Sequence, residues 1–326
     1  MTTDAKILRA LRENPHSYVS GAELAAKLQI SRAAIWSRIE ELRKLGYDIE
    51  ASPHLGYRLK NSPNILLGDD IVSRLERINI IGREINVFKQ TTSTNDVIEK
   101  MAVDGVPEGV VVFADSQTKG RGRLGREWHS LPEKGLWFSI LLRPHLHPKM
   151  AMQLTIAAAT AVRRAIDRLT GTPVQIKWPN DVIIGGKKVA GILTEINAEV
   201  DRIKYAILGI GINVNHDHDD FPPGLRAIAT SIKICSGKEL NRSELASAVL
   251  SALDADYEKI LKGNFNQIAD EWMRWCETVG KQVTIRAADR IIQGRAESLD
   301  ADGCLIVRKT HGHLERVIGG DVTVEK

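Results

Sequence analysis

Along the first sixty residues, apolar positions recur at helical spacing in three runs. Ala5 to Arg12 predicts a first helix. Ser20, with Glu23 three residues on, has the form of a capping box opening a second helix that continues to Leu28. Ser31 caps a third, in which Ile35, Ile39 and Leu42 share one face and Gly46 ends the run. The alternation Tyr47 to Ala51, the turn Ser52 to Gly56 and Tyr57 to Leu59 then predict a hairpin. Three helices and a hairpin make a winged helix-turn-helix, expected to span residues 1–62. The polar run Lys60 to Asn64 reads as a hinge.

From Leu66 to Cys276 the pattern changes to short apolar runs mixed with amphipathic ones. Helices are expected over Asp69–Ile78, Ser93–Ala102, Lys149–Leu169, Ser243–Leu261 and Phe265–Cys276. Strands are expected over Ile85–Lys89, Val110–Ala114, Leu136–Leu142, Val174–Lys177, Val182–Ile184, Lys188–Ile196 and Lys204–Ile212. Strands adjacent in pairs favour a mixed, largely antiparallel α+β sheet over a doubly wound one. Residues 277–326 alternate apolar and polar between turns such as Ala301-Asp-Gly303, which predicts a small all-strand barrel.

At 326 residues the chain is long enough for two or three domains with cores of their own. Three scattered cysteines, Cys235, Cys276 and Cys304, give neither a disulfide framework nor a zinc spacing and suggest a reducing compartment. The N-terminus is charged throughout, and no run reaches the roughly twenty apolar residues of a membrane span, so a cytoplasmic protein without membrane association is expected. A formal charge of +4 permits nucleic-acid binding in one domain without demanding it.

Two motifs carry chemistry. Gly120 to Arg126 reads GRGRLGR, and Lys177 to Asp181 reads KWPND. Gly120, Gly122 and Gly125 fit the spacing of a dinucleotide fingerprint, but no helix follows; Glu127 to Pro132 lead into another strand. A P-loop is excluded by the missing Gly-Lys-Ser/Thr ending. Glycines that permit close approach, with Arg121, Arg123 and Arg126 as fixed charges, suit an anionic acyl nucleotide; the bland alternative is a solvated basic loop. Asn215 to Asp220 resembles a metal cluster, but His216 and His218 run into Phe221-Pro-Pro-Gly224, a loop signature without further ligands. On the third helix Arg32, Ala33, Trp36, Ser37 and Arg38 lie off the buried stripe. They can enter a major groove while Ser31 and Arg32 meet phosphates. A protein-interaction module of the same shape is the alternative, and Trp36 can equally pack against the wing.

The set Thr92-Ser-Thr-Asn95, Gln117, GRGRLGR, Trp128, KWPND, Lys188 to Glu195 and Gly209-Ile-Gly-Ile-Asn213 resembles the biotin protein ligases over essentially the whole chain. The N-terminal winged helix makes it similar to the bifunctional bacterial form that also represses biotin synthesis. The resemblance implies a central biotin/lipoate ligase-type domain (66–276) and a C-terminal SH3-like domain (277–326). It implies two steps: biotin and ATP form biotinyl-5′-adenylate, and a lysine of a biotin carboxyl carrier protein takes the biotinyl group. By resemblance Lys188, Arg123 and Arg121 are catalytic. Ser93, Thr94, Asn95, Gln117, Gly122, Gly191, Gly209 and Gly211 join them around biotin. Gly120, Arg126, Trp128, Asn180, Asp181 and Asn213 serve ATP with Arg123 and Lys188, and Asp181 serves Mg2+. Operator DNA and a homodimer, formed on adenylate or DNA binding, are the further implied partners, with strands Lys188–Ile196 and Lys204–Ile212 as edge strands of the dimer surface. The rivals are a lipoate-type ligase, a transcription factor whose ligase-like domain only senses biotin, and a dedicated ligase with a vestigial DNA-binding domain.

Overall fold

The computed structural model describes residues 1–287 and 290–324, so the expected 277–326 domain is described except for residues 288, 289, 325 and 326. The chain divides into two compact units, Met1–Arg77 with Asn241–Ser247, and Ile78–Leu240 with Ala248–Lys326.

In the first unit, helices α1 (Thr3–Glu13), α2 (Gly21–Leu28) and α3 (Arg32–Lys44) precede the antiparallel hairpin of β1 (Asp48–Ser52) and β2 (Gly56–Asn61). Its core joins Ile7, Leu8, Leu11, Leu24, Ile35, Ile39, Leu42 and Ile49. Each such side chain contributes about 1.5–3 kcal/mol by leaving water. Ser31 caps α3 through the Ala34 amide at 3.1 Å. Ser20 caps α2 through Ala22, one residue earlier than a capping box places its bond.

Two expectations need correction here. The run Lys60 to Asn64 is no free hinge: Asn61 ends β2, Ser62 accepts from Arg12, and Asn241 donates to the Pro63 carbonyl while the Arg242 amide donates to the Asn64 side chain. Nor does the first unit stop at residue 62. Helix α4 (Gly68–Arg74), shorter than the expected Asp69–Ile78, packs on α1. Its Asp70, 1 % exposed, accepts from Arg12, from the Tyr47 hydroxyl at 3.0 Å and from Arg74 at 3.1 Å. Removing a partner from a buried charge of this kind costs about 3–5 kcal/mol, which makes α4 part of the winged-helix unit.

The second unit is built on a seven-stranded sheet: β3 (Glu84–Thr91), β4 (Val110–Gln117), β5 (Gly135–Leu142), β6 (Gln175–Lys177), β7 (Asp181–Ile184), β8 (Lys187–Ala198) and β9 (Ile203–Asn213). The order is β3-β4-β5-β9-β8-β7-β6, and only β3 and β4 run parallel. Helix α5 (Thr94–Val103) covers one face, with Ile98 and Ala102 on Val110, Val112, Leu141 and Ile207. Helix α6 (Met152–Thr170) covers the other, where Thr155 meets Thr194 at 2.8 Å. Covered on both faces, β5 is buried throughout, which is why its sequence reads as a continuous apolar run. Helices α7 (Ile232–Ser236), α8 (Arg242–Leu261) and α9 (Phe265–Trp275) complete the helical set; α7 has no counterpart in the sequence pattern.

Of the two expected edge strands only one is an edge, and only in part. β9 lies between β5 and β8 and has a ladder on both sides. β8 pairs with β9 along its length, but its ladder to the short β7 ends at Gly191.

The C-terminal module is an antiparallel sheet in the order β13 (Leu314–Val317), β12 (Leu305–Arg308), β11 (Arg290–Leu299), β10 (Gln282–Ala287) and β14 (Asp321–Val324). Among the described residues β13 and β14 are not hydrogen-bonded, so the ladder does not close into a full barrel. Among the described residues no helix is long and apolar enough to cross a membrane.

Candidate active site

The glycine loop is an ordered hairpin. The Gly122 amide donates to the Arg126 carbonyl, Trp128 donates to Gly120, and Arg121 bridges Glu127. Two glycines are required by position: a Cβ on Gly120 would lie 2.5 Å from the Trp128 carbonyl oxygen, and Gly125 holds a φ of +71°. Leu124 at the tip is 71 % exposed.

The strand registers build the floor. Trp137 on β5, Gly211 on β9, Gly191 on β8 and Asp181 on β7 are successive cross-strand partners, so they form one row on one face. The Trp128 indole lies on this row: a Cβ would stand 2.6 Å from it at Gly211 and 2.9 Å at Gly191. In the next row Gly209 makes room for Asn95, whose Oδ1 a Cβ would approach to 2.4 Å. The glycines expected to line the biotin wall therefore seat side chains of the site itself. They remain essential for the same reason, since any side chain would expel Trp128 or Asn95.

At one end of the row stand two cations of different character. Lys188 Nζ pairs with Asp181 at 2.6 Å and lies 5.2 Å from the Trp128 ring centre. Its backbone is clamped, the amide donating to Ile228 at 2.8 Å and the carbonyl accepting from Thr230 at 2.9 Å. Asn213 fastens the same segment by donating to the Thr230 carbonyl, and Lys187 donates to the Arg226 carbonyl. Arg123 donates to the Asn180 side-chain oxygen at 2.8 Å, and Asn180 in turn donates to Ile192. Burial lowers the Arg123 guanidinium from its ordinary range while Asp181 and Asp321 pull the other way. Arg126 points elsewhere, to an ion pair with Asp321 of the C-terminal module.

At the other end lies a polar pocket. Thr94 donates its amide (2.8 Å) and hydroxyl (3.2 Å) to Gln117, Gln117 donates to Ser130 at 2.9 Å, and the Ser139 hydroxyl donates to Asn95 and lies within hydrogen-bond distance of Thr94. Ser93 is the N-cap residue of α5 but forms no side-chain cap bond. Arg121 donates to Asp96 at 2.5 Å and lies 3.7 Å from Glu195. Burial lowers its guanidinium, and the hydrogen bond and charge of Asp96, with Glu195 and Glu99, outweigh that and leave it raised. The sequence assigned no role to Ser130, Ser139, Asp96 or Glu195. Ser139 was visible as the one hydroxyl inside an apolar strand; Thr230 and Ile228 carried no signal, because their position depends on a loop that returns to β8.

Among the described residues no group of three or more His, Cys, Asp or Glu side chains could hold a metal ion. Asp181, paired with Lys188, is a single carboxylate, which fits a Mg2+ that arrives with nucleotide phosphates rather than one held in a cage of protein ligands. His216, part of the apparent cluster 215–220, is 2 % exposed between Trp137 and Phe221. Burial lowers its pKa to about 4, with Asp220 and Asp217 opposing and Lys134 assisting. Because the folded value lies below the unfolded one of about 6.5, this stability is fully present above pH 6.5 and is lost as pH falls toward 4. The difference amounts to about 3 kcal/mol. His216→Phe should flatten that part of the profile, read as urea unfolding midpoints between pH 4 and 7; parallel profiles for the two proteins would refute it.

On α3, Ser31, Arg32, Ala33, Trp36, Ser37 and Arg38 are all exposed. Trp36 is 58 % exposed, so the wing does not bury it. Arg38 is not a free cation, since it pairs with Glu41 at 2.9 Å and Asp4 at 3.8 Å.

Residues 87–213 match the biotin/lipoate A/B protein ligase family, residues 4–58 an HTH domain and residues 278–324 the biotin protein ligase C-terminal domain. The chain is 37 % identical over 305 residues to the bifunctional ligase/repressor BirA of Bacillus spizizenii, covering 94 % of this chain and 93 % of that protein. It is 31 % identical over 246 residues to the biotin–[acetyl-CoA-carboxylase] ligase of Mycobacterium tuberculosis, covering 74 % of this chain and 88 % of the relative. Among solved structures, the biotin protein ligase of Aquifex aeolicus in complex with biotin and ATP superposes with a TM-score of 0.64 at 30 % identity, covering 75 % of this chain and 99 % of that one.

Proposed function

Because the chain belongs to the biotin protein ligase family, in its bifunctional ligase/repressor form, we propose that it makes biotinyl-5′-adenylate, transfers biotin to a carrier lysine and represses biotin genes from its winged helix. One observation carries the catalytic part: Lys188 and Arg123 converge at the end of the row of Trp137, Gly211, Gly191 and Asp181 on which Trp128 is seated. A lipoate-type ligase, a biotin-sensing transcription factor or a dedicated ligase is less favoured by relatives that are named ligase and repressor together over 94 % of the chain.

In the first step a biotin carboxylate oxygen attacks the α-phosphorus of ATP, and the bond to the leaving pyrophosphate breaks. Two anions meet and charge gathers on the leaving group, so preset cations lower the barrier. Lys188 and Arg123 are those cations; the first is held by a clamped strand end, the second by a neutral amide. Thr94, Asn95 and Gln117, with Ser93 at the helix start, offer the polar contacts for the ureido end, and Trp128 shields the nucleotide side. In the second step the carrier's lysine amine attacks the acyl carbon and AMP leaves. Magnesium enters this scheme as the counter-ion of ATP rather than as a protein-held ion. The reaction belongs in the cytoplasm, where ATP and the carrier are found.

The test is to mix full-length protein with biotin, labelled ATP and a biotin carrier domain. Biotin-dependent pyrophosphate release followed by carrier labelling is expected; lipoate-dependent release in its place would favour the rival ligase. Arg123→Ala should release biotinyl-adenylate faster, by roughly ten- to a hundredfold, because it removes a charge-assisted bond of about 1.5–3 kcal/mol. An unchanged dissociation rate in a chase experiment would remove Arg123 from the ligand.

Dimerisation is assigned to the open stretch of β8 from Leu193 to Ala198. The support is that among the described residues it has no second ladder beyond Gly191, and that Ile196 within it is exposed.

A further inference from the structure

The glycine loop carries three arginines, and the structure gives each a different partner. Arg126 pairs with Asp321, and Arg123 donates to the uncharged side chain of Asn180. Arg121 is held by two carboxylates, one on β8 and one on α5. Its Nη1 donates to Asp96 Oδ1 at 2.5 Å, its Nη2 lies 3.7 Å from Glu195 Oε2, and Asp96 is itself oriented by the Thr92 hydroxyl at 3.0 Å. An arginine so compensated has little charge left for an anionic ligand.

Glu195 does a second thing with the same oxygen. Its Oε2 accepts from Asn95 Nδ2 at 2.5 Å, while Asn95 Oδ1 accepts from Ser139. Glu195 is the cross-strand partner of Ile207, on the α5 face of the sheet, two residues beyond Leu193, which pairs with Gly209, the glycine that makes room for Asn95. One carboxylate thus joins the root of the glycine loop to the amide that fills the pocket floor.

Resting on the ligase reading above, we propose that Glu195, with Asp96, is a positioning residue of the biotin pocket, fixing Asn95 and tethering Arg121 so that the loop root is held by the protein and Arg123 supplies the charge to the ligand. Arg121 then acts as an anchor of the loop and not as a counter-ion of biotin or of the adenylate. The two duties of Glu195 separate chemically. The bond from Asn95 needs only an acceptor oxygen, whereas the tether to Arg121 needs the negative charge.

The experiment uses the full chain and reads the KM values for biotin and ATP, kcat, the dissociation rate of biotinyl-5′-adenylate, and the thermal midpoint. Glu195→Gln keeps an acceptor for Asn95 and should leave the biotin KM within about threefold, while Glu195→Ala raises it roughly tenfold with little change in the ATP KM, the size of one hydrogen bond to a charged group. The double variant Asp96→Asn/Glu195→Gln, which removes both charges facing Arg121, should lose the adenylate roughly tenfold faster. The proposal is overturned if Glu195→Gln and Glu195→Ala have the same biotin KM, if the double variant holds the adenylate as wild type does, or if every change follows the thermal midpoint. Wild-type pyrophosphate release in the same assay separates the two levels. Its absence brings down the ligase reading together with this one, whereas its presence beside unchanged variants defeats this one alone.

Discussion

Replacing Lys188 by alanine should lower the rate of adenylate formation by about 10²–10³-fold while changing biotin affinity by less than about tenfold. The ammonium stands beside Asp181 at 2.6 Å, at the Trp128 end of the site, and the Thr94, Gln117 and Ser139 network lies at the other. Charge on the phosphate oxygens and the departing pyrophosphate is greatest on the reaction path. A preset cation is therefore worth more there than in the complex with substrate, and its loss appears in kcat before it appears in KM. The variant also leaves Asp181 without its ion-pair partner, adding an uncompensated anion where anions must meet. Lys188→Arg serves as the partner measurement: it restores charge without the compact point donor and should recover only part of the rate. Rapid-quench measurement of adenylate formation decides the matter. A wild-type rate in Lys188→Ala would take this lysine out of the chemistry and leave its ion pair with Asp181 as a feature of strand packing.

The legibility of the site followed how local each signal was. Helix α3 and its Ser31 cap, the apolar β5, and the GRGRLGR and KWPND segments are written in neighbouring residues, and the structure shows α3, β5 and the two turns at those places. Whatever depends on what lies opposite was harder to read. β9 carries the same alternation as an edge strand, and only the full ladder order shows it between β5 and β8. The run Lys60 to Asn64 has the composition of a hinge, yet the Pro63 and Asn64 carbonyls and the Asn64 side chain accept from Asn241 and Arg242, 178 residues away. The helix expected from Asp69 gave no sign that Asp70 is buried; its burial with Arg12 and Tyr47 shows only when α1 and α4 are brought together. The three glycines of the floor are instructive in another way. The resemblance places them around biotin, and a Cβ on them would meet Trp128 or Asn95, a contact that depends on the far-off residues seated there and that no local pattern shows.

Deleting Met1 to Asn61 should abolish operator binding altogether and leave biotin-dependent pyrophosphate release in place, at the cost of a lower thermal midpoint. Removing α1 to α3 takes away the exposed α3 side chains expected to enter a major groove, Arg32, Ala33, Trp36 and Ser37. The stability cost arises because α4 stays behind without α1, exposing Ile71 and Leu75 and depriving Asp70 of Arg12 and Tyr47. A point substitution avoids that cost: Arg32→Ala should weaken operator binding, reduce the slope of log affinity against log salt by about one, and leave ligation unchanged. One winged helix presents few base-reading side chains, so the expected operator carries two half-sites related by a twofold axis. If biotinyl-adenylate favours the dimer, the coupling is reciprocal, and the operator in turn tightens adenylate binding. Operator shift assays at one salt concentration, with and without adenylate and beside the truncated chain, read all of this together. Equal operator affinity in full-length and truncated protein would leave the ligase intact and assign the winged helix to a different partner.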